Sequence, residues 1–303
     1  MKYDKPAFTW EEQADLLIQR GMQADREELT KKLRCVNYYR LSGYWHPFRV
    51  LLTNGRRGDY FVEGTSFDEV WRRYLFDRQL RVLMLDAIER FEVTLRTQLT
   101  YRLSHDFGAF GYANESNFPE RTPFDWEKLA ESYKKNTERA HGHEVFVDHF
   151  FEKYDDEKIL PMWMMCELLS LGDVMYLYRV LDAKRKYDVT MRVFQMHPSV
   201  FISWIGTLHA VRNICAHHGR LFNKTLGYRP VIPNKWQGIW KNTPDNRLFC
   251  LLMILYYILQ KIAPQSQWGA RMENLLAAHS DLHCEMGFPA DWLDFREKIL
   301  SAS

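Results

Sequence analysis

"SFDEVWRRYLFDRQLRVLMLDAIERFEVTLRTQLTYRLSH", residues 66–105, contains neither proline nor glycine. Apolar residues recur at Val70, Tyr74, Leu75, Leu80, Leu83, Met84, Ala87, Ile88, Phe91, Leu95, Leu99 and Leu103. Steps of three and four put them on one stripe of an α-helix, whereas a strand would alternate every second residue. Ser66 and Glu69 have capping-box spacing and open it. Some forty residues is long for a globular helix, so a kink or break is allowed. A helix this long must bury its stripe against other helices, which points to an all-α fold.

The flanks agree. Thr9 with Glu12 has capping-box spacing, Gly21 is placed to close that first helix, and a second helix is predicted over 25–35. "NYYRLSGYWHPF" (37–48) is aromatic and amphipathic. Its residues Tyr39, Leu41, Tyr44, Trp45 and Phe48 fall mostly on one helical face and read as core, although aromatics can also stack bases. A small β hairpin is expected near residues 49–63, with Asn54-Gly55 and Gly58 as turn residues. Downstream, helices are predicted over 125–139, 144–154, 161–181 (with Gly172 as a break point), 185–196, 199–218, 245–262, 267–279 and 289–300. No fixed-period repeat and no low-complexity tract is visible. The whole chain, 1–303, reads as one unit with sub-regions 1–65, 66–262 and 263–303.

Bulk properties narrow the class. The chain is 46% apolar and 15% aromatic, so it is globular. A formal charge of +2 announces no nucleic-acid partner in bulk. Basic clusters at 72–81, 134–139 and 184–186 read first as solvated helix faces. Five dispersed cysteines with no C-x-x-C pair suggest reduced thiols. The N-terminus lacks an apolar signal core, and "LFCLLMILYYIL" (248–259) is too short to span a bilayer. The protein reads as soluble and cytoplasmic, with no membrane partner.

Most catalytic signatures are missing. There is no phosphate loop, no G-x-G-x-x-G and no G-x-S-x-G. "HGHEVFVDHF" (141–150) could offer His141, His143, Glu144, Asp148 and His149 to a metal, but it reads better as a loop entering an exposed helix. "CAHH" (215–218) and "HCE" (283–285) lack paired C-x-x-C knuckles. No metal and no cofactor is expected.

One segment remains, "VRNICAHHGRLFN", residues 211–223. Ser199 is expected to cap its helix and Gly219 to stop it. Phe201, Ile202, Ile205, Leu208, Val211, Ile214 and Cys215 form the apolar face. His209, Asn213 and His217 recur at i, i+4 and i+8 as one polar line, with Arg212 at its border. Cationic groups near a helix C-terminus also suit plain helix electrostatics. The R-x4-H spacing occurs twice, at Arg212…His217 and Arg192…His197, and only the first sits in a polar cluster.

This R-x4-H pattern, with asparagine after the arginine, resembles the metal-independent ribonucleases of the HEPN superfamily. "YYRLSGYWHPF" (38–48), "LDAIERFEVTLRTQL" (85–99), "LPMWMMCELLSLGDV" (160–174) and "RNICAHHGRLFN" (212–223) resemble, in order, the blocks of the bacterial Abi-like family, the abortive-infection phage-resistance proteins. The likeness runs from residue 10 to about 260. "SLG" replaces the family's usual "SFG", and nothing after about residue 263 matches. The resemblance implies a HEPN-type helical bundle with extra N- and C-terminal helices, RNA as substrate or regulatory ligand, and a toxin role in phage defence, with an antitoxin as a further implied partner.

Residue chemistry suggests the roles. RNA carries its own nucleophile, the 2′-OH. His217 would move the proton, Arg212 would clamp the phosphate, and Asn213 would orient the His217 ring or contact phosphate. His218 is either a second acid–base partner or a neighbour facing the core. One motif copy offers few groups for both proton transfers, so a homodimer with a composite site is expected. Glu89, Glu92 and Arg96 share a face of the long helix, as an ion-pair ladder or as support behind Arg212 and His217. Glu167, set among apolar residues, calls for an arginine partner. His209 completes the supporting set. The competing readings are a non-catalytic HEPN-type RNA-binding or interaction module and, more remotely, a metal-dependent hydrolase using residues 141–149.

Overall fold

The structure, a computed structural model, describes residues 6–302. Among those residues thirteen α-helices, six three-residue 3-10 turns and one two-stranded antiparallel sheet make up the regular structure, an all-α architecture. The chain divides into two compact units, residues 1–81 and 82–303.

The first unit holds α1 (Trp10–Gln19), α2 (Arg26–Cys35), α3 (Tyr38–Trp45), β1 (Arg49–Leu51), β2 (Arg57–Phe61) and the opening turns of α4 (Phe67–Phe107). Thr9 and Glu12 form both halves of the capping box, and Gly21 ends α1 at φ +93°. The hairpin turns at Asn54-Gly55, where Asn54 accepts from the Arg56 N–H at 2.9 Å. Gly58 lies inside β2 rather than in the turn. Leu41, Tyr44 and Trp45 are buried as their spacing predicts, but Tyr39 is 84% exposed. It lies on the outer side of α3, where its N–H donates to the capping Asn37 side chain at 2.7 Å.

α4 is one unbroken helix of 41 residues. The expected Ser66–Glu69 capping box is not made, and a plain N-cap bond to the second helical residue stands in its place. Ser66 accepts from the Asp68 N–H at 3.1 Å, while Glu69 turns outward to Arg72 and Arg73, each at 2.9 Å. Within the first unit, Asp77 is fully buried, accepts from Tyr44 Oη at 2.6 Å and pairs with Arg81. A buried carboxylate needs such partners.

The second unit contains the rest of α4, α5 (Pro123–Ala140), α6 (Val145–Lys153), α7 (Met162–Leu168), α8 (Leu171–Val180), α9 (Ala183–Val193), α10 (Pro198–Ala216), α11 (Leu248–Ile262), α12 (Trp268–Ala277) and α13 (Trp292–Ser301). α5 packs on α7 and α8, α10 on α8 and α9, and α11 on α13. Phe91, Phe194 and Phe201 form an aromatic centre with ring centroids 4.7–5.8 Å apart. Each such ring contributes roughly 1.5–3 kcal/mol by leaving water. α11 is buried all round from Leu248 to Leu259, which accounts for its uninterrupted apolar run. Among the described residues no helix is long and apolar enough to cross a membrane.

The predicted helix over 161–181 is two helices. The break falls at Leu169–Ser170, just before Gly172, because Ser170 caps α8 in a reciprocal box with Asp173.

Candidate functional site

α10 carries the Arg212–His218 cluster at its C-terminal end. Its start differs from the sequence expectation. His197, not Ser199, is the N-cap, and its Nδ1 accepts from the Ser199 N–H at 3.3 Å. Pro198, with φ preset for a first helical position, draws the start back. Its end also differs. His217 is the C-cap, and His218, not Gly219, takes the left-handed conformation, at φ +57°. The His218 N–H donates to the Cys215 carbonyl at 3.0 Å and the Gly219 N–H to the Ile214 carbonyl at 2.7 Å, a Schellman closure. Gly219 serves close approach instead: a Cβ there would stand 3.2 Å from Ile214 O. The backbone therefore places His217 and His218 at the exposed tip, with His209, Arg212 and Asn213 half-buried behind them.

The polar line is connected on its inner side. Asn213 Nδ2 lies 3.1 Å from His209 Nε2, and Arg212 Nη1 donates to Asn213 Oδ1 across a longer 3.4 Å. Asn213 thus faces His209 and Arg212 rather than the His217 ring. Among the described residues no side-chain hydrogen bond joins Asn213 to His217. Their link is the backbone, where the His217 N–H donates to the Asn213 carbonyl at 3.0 Å.

Two further segments close round His209. Ser170 Oγ donates to Asp173 Oδ2 at 2.6 Å at the start of α8. The next turn brings Gly172 against the imidazole, and a Cβ on Gly172 would meet His209 Nε2 at 3.1 Å. The glycine of "SLGD" therefore makes room for the ring. On α4, Arg96 pairs with Glu92 and also donates to the Leu169 carbonyl at the α7–α8 break. Cys166 Sγ contacts Arg96 O at 3.6 Å, and burial pushes its thiol up to about 11, so it is no nucleophile.

Burial pushes the pKa of His209 below its ordinary value and the nearby Arg212 cation adds to this, against the opposing pull of the Asp173 and Glu92 carboxylates. The imidazole is thereby biased toward its neutral form.

Of the sequence-selected residues, Glu92, Arg96, His209, Arg212 and Asn213 gather in the second unit, and His217 and His218 sit at the adjoining helix end. Glu89 does not join them. It is exposed, because its position rotates to the outer side of α4. Glu167 is exposed too and makes no ion pair among the described residues, so the arginine partner is not found. Met162, Met165 and Cys166 take the inner face of the short α7 and turn Glu167 outward. Sequence reasoning took Gly172 only as a helix break point and passed over Asp173, although the S-x-x-D spacing of 170–173 was legible. It also missed Asn223, at φ +50°, which donates to Glu285 at 2.8 Å and accepts from Arg247 at 2.7 Å, tethering the segment that leaves the site.

A cavity of about 620 Å³, lined by Tyr187, His197, Ser199 and Lys235 among others, opens at the opposite end of α10. The 19-residue helix separates it from His217 by roughly 28 Å. Among the described residues no group of three or more His, Cys, Asp or Glu could hold a metal ion, and His141 instead pairs with Asp148 at 2.9 Å.

No curated protein and no solved structure matches the chain. A family model described as Abi-like protein matches residues 31–223, well over half of the 303 residues, a narrower stretch than 10–260. It includes α4, the α7–α8 break and all of α10, and it ends at the tethered Asn223. The chain therefore belongs to the Abi-like family, which links it to abortive-infection defence against phage.

Proposed function

We propose that the protein is a metal-independent endoribonuclease of HEPN type that acts as an abortive-infection toxin. The observation that carries this reading is the placement of Arg212 and His217. They flank the last turn of one helix, the histidine exposed at the tip and the arginine half-buried behind it. A phosphodiester at the tip would meet both.

The substrate's 2′-oxygen attacks phosphorus while the bond to the 5′-oxygen breaks, leaving a 2′,3′-cyclic phosphate and a 5′-hydroxyl. The 2′-OH proton leaves to a base and a proton reaches the departing oxygen. Histidine suits either transfer near neutral pH, and His217 takes one of them. Arg212 binds the phosphate in a forked contact and offsets charge that grows in the transition state. Asn213 acts on Arg212 rather than on the His217 ring. The other transfer falls to His218 or to His217 of a second copy in a homodimer.

The test is incubation of the full chain with mixed cellular RNA in EDTA beside His217→Ala. Cleavage by the wild type that the variant loses supports the ribonuclease. Equal RNA retention with no cleavage by either protein favours a non-catalytic RNA-binding module, and cleavage abolished by EDTA overturns the metal-free chemistry. For the composite site, excess His217→Ala chain equilibrated with the wild type should depress cleavage beyond simple dilution, because a mixed dimer holds a single His217; cleavage that only falls in proportion to dilution would assign the second transfer to His218.

A further inference from the structure

We propose that His209 is the positioning residue of this site: as a neutral acceptor it holds the Asn213 amide so that the amide oxygen faces Arg212. The proposal rests on the ribonuclease reading of Arg212 and His217. It adds a device by which acid would disarm them.

The argument is one of donors and acceptors. The Asn213 amide nitrogen can only donate, and it lies 3.1 Å from His209 Nε2. That ring nitrogen must therefore be the acceptor, which puts the imidazole proton on Nδ1. With its nitrogen so engaged, the amide turns Oδ1 to Arg212 Nη1 at 3.4 Å. If Nε2 gains a proton, two donors face each other. The amide must then rotate by half a turn to offer its oxygen to the ring, and its NH₂ group confronts the guanidinium. Protonation of His209 is thus felt at Arg212 without a change in backbone.

The surroundings hold the ring in place and bias its charge. Gly172 packs against Nε2 with no Cβ to interfere. The charged groups acting on the ring are Arg212 on its own helix, Asp173 on α8 and Glu92 on α4, and Glu92 is itself engaged by Arg96. Burial and Arg212 favour the neutral ring; the two carboxylates work the other way.

The ring tautomer tests the geometry without any substrate. Long-range ¹H–¹⁵N spectra of the full-length protein at pH 7.5 should show His209 with Nδ1 protonated and Nε2 bare. The opposite tautomer would overturn the proposal. RNA cleavage between pH 5 and 8 tests the consequence. Glutamine places Oε1 near the position of Nε2 and does not titrate. His209→Ala should lose about tenfold or more in rate. His209→Gln should recover most of that loss and fall off less steeply in acid than the wild type. A full rate in His209→Ala, or an acid limb in His209→Gln identical to wild type, would refute it. If His217→Ala cleaves as well as wild type, the ribonuclease reading fails, and the tautomer still decides the role of His209.

Discussion

The guanidinium of Arg96 reaches the carbonyl of Leu169, 73 positions along the chain, while also pairing with Glu92 one turn back on α4. This one side chain fastens the long helix to the corner from which Gly172 approaches His209. The order of the site therefore depends on a contact outside the R-x4-H motif.

Arg96→Ala should destabilise the protein by about 2–4 kcal/mol, because it leaves Glu92, only 9% exposed, with an unpaired charge. Arg96→Lys should cost less, about 1–2 kcal/mol, since one ammonium keeps the charge but not the forked geometry. Urea denaturation monitored by circular dichroism measures both, and equal midpoints for wild type and Arg96→Ala would refute the contact's importance.

His218 occupies the left-handed position that ends α10. Glycine adopts that conformation without strain, so His218→Gly should raise stability by up to about 1 kcal/mol. The same variant separates the two roles open to this histidine. Unchanged RNA cleavage would leave it as a helix terminator, and a loss of tenfold or more would make it a proton-transfer partner.

Asn223 combines a positive φ with hydrogen bonds to Arg247 and Glu285. Asn223→Ala loses both advantages and should cost about 2–3 kcal/mol. Asn223→Gly keeps the backbone freedom and should cost about 1–2 kcal/mol. Thermal denaturation of the pair distinguishes backbone from side chain, and equal losses would mean that the backbone conformation is irrelevant there.

The depressed pKa of His209 has a sign for stability. Between its folded value and the ordinary value near ~6.5, the unfolded chain binds more protons than the folded one. Stability should therefore fall as pH drops through that window and hold steady above it. His209→Gln should flatten this slope relative to wild type in urea titrations from pH 5 to 8. Parallel slopes for the two proteins would show that the ring does not resist protonation.

Much of the fold was legible along the chain. The apolar stripe from Val70 to Leu103 forms one helix, Thr9 and Glu12 cap α1, and Asn54-Gly55 turns the hairpin. These features are local. A helix closes its hydrogen bonds over four residues and a cap over three, so a short window of sequence contains the whole cause. The polar line of His209, Asn213 and His217 was legible for the same reason. Its wiring was not. Spacing allowed Asn213 to serve either histidine, and packing selected His209, because Gly172 and the α7–α8 corner wall that ring while His217 stays at the open tip. Glu92 and Glu89 share a helix and a chemistry, yet only Glu92 meets its pair inside. Glu167 looked enclosed in sequence and lies outside, since α7 is too short to bury more than one face. Helical periodicity thus dictated which residues form each helix and which lie on one face. Which face is buried, and which polar group finds a partner, depended on contacts between residues such as Arg96 and Leu169, whose meeting no local hydrogen-bond pattern encodes.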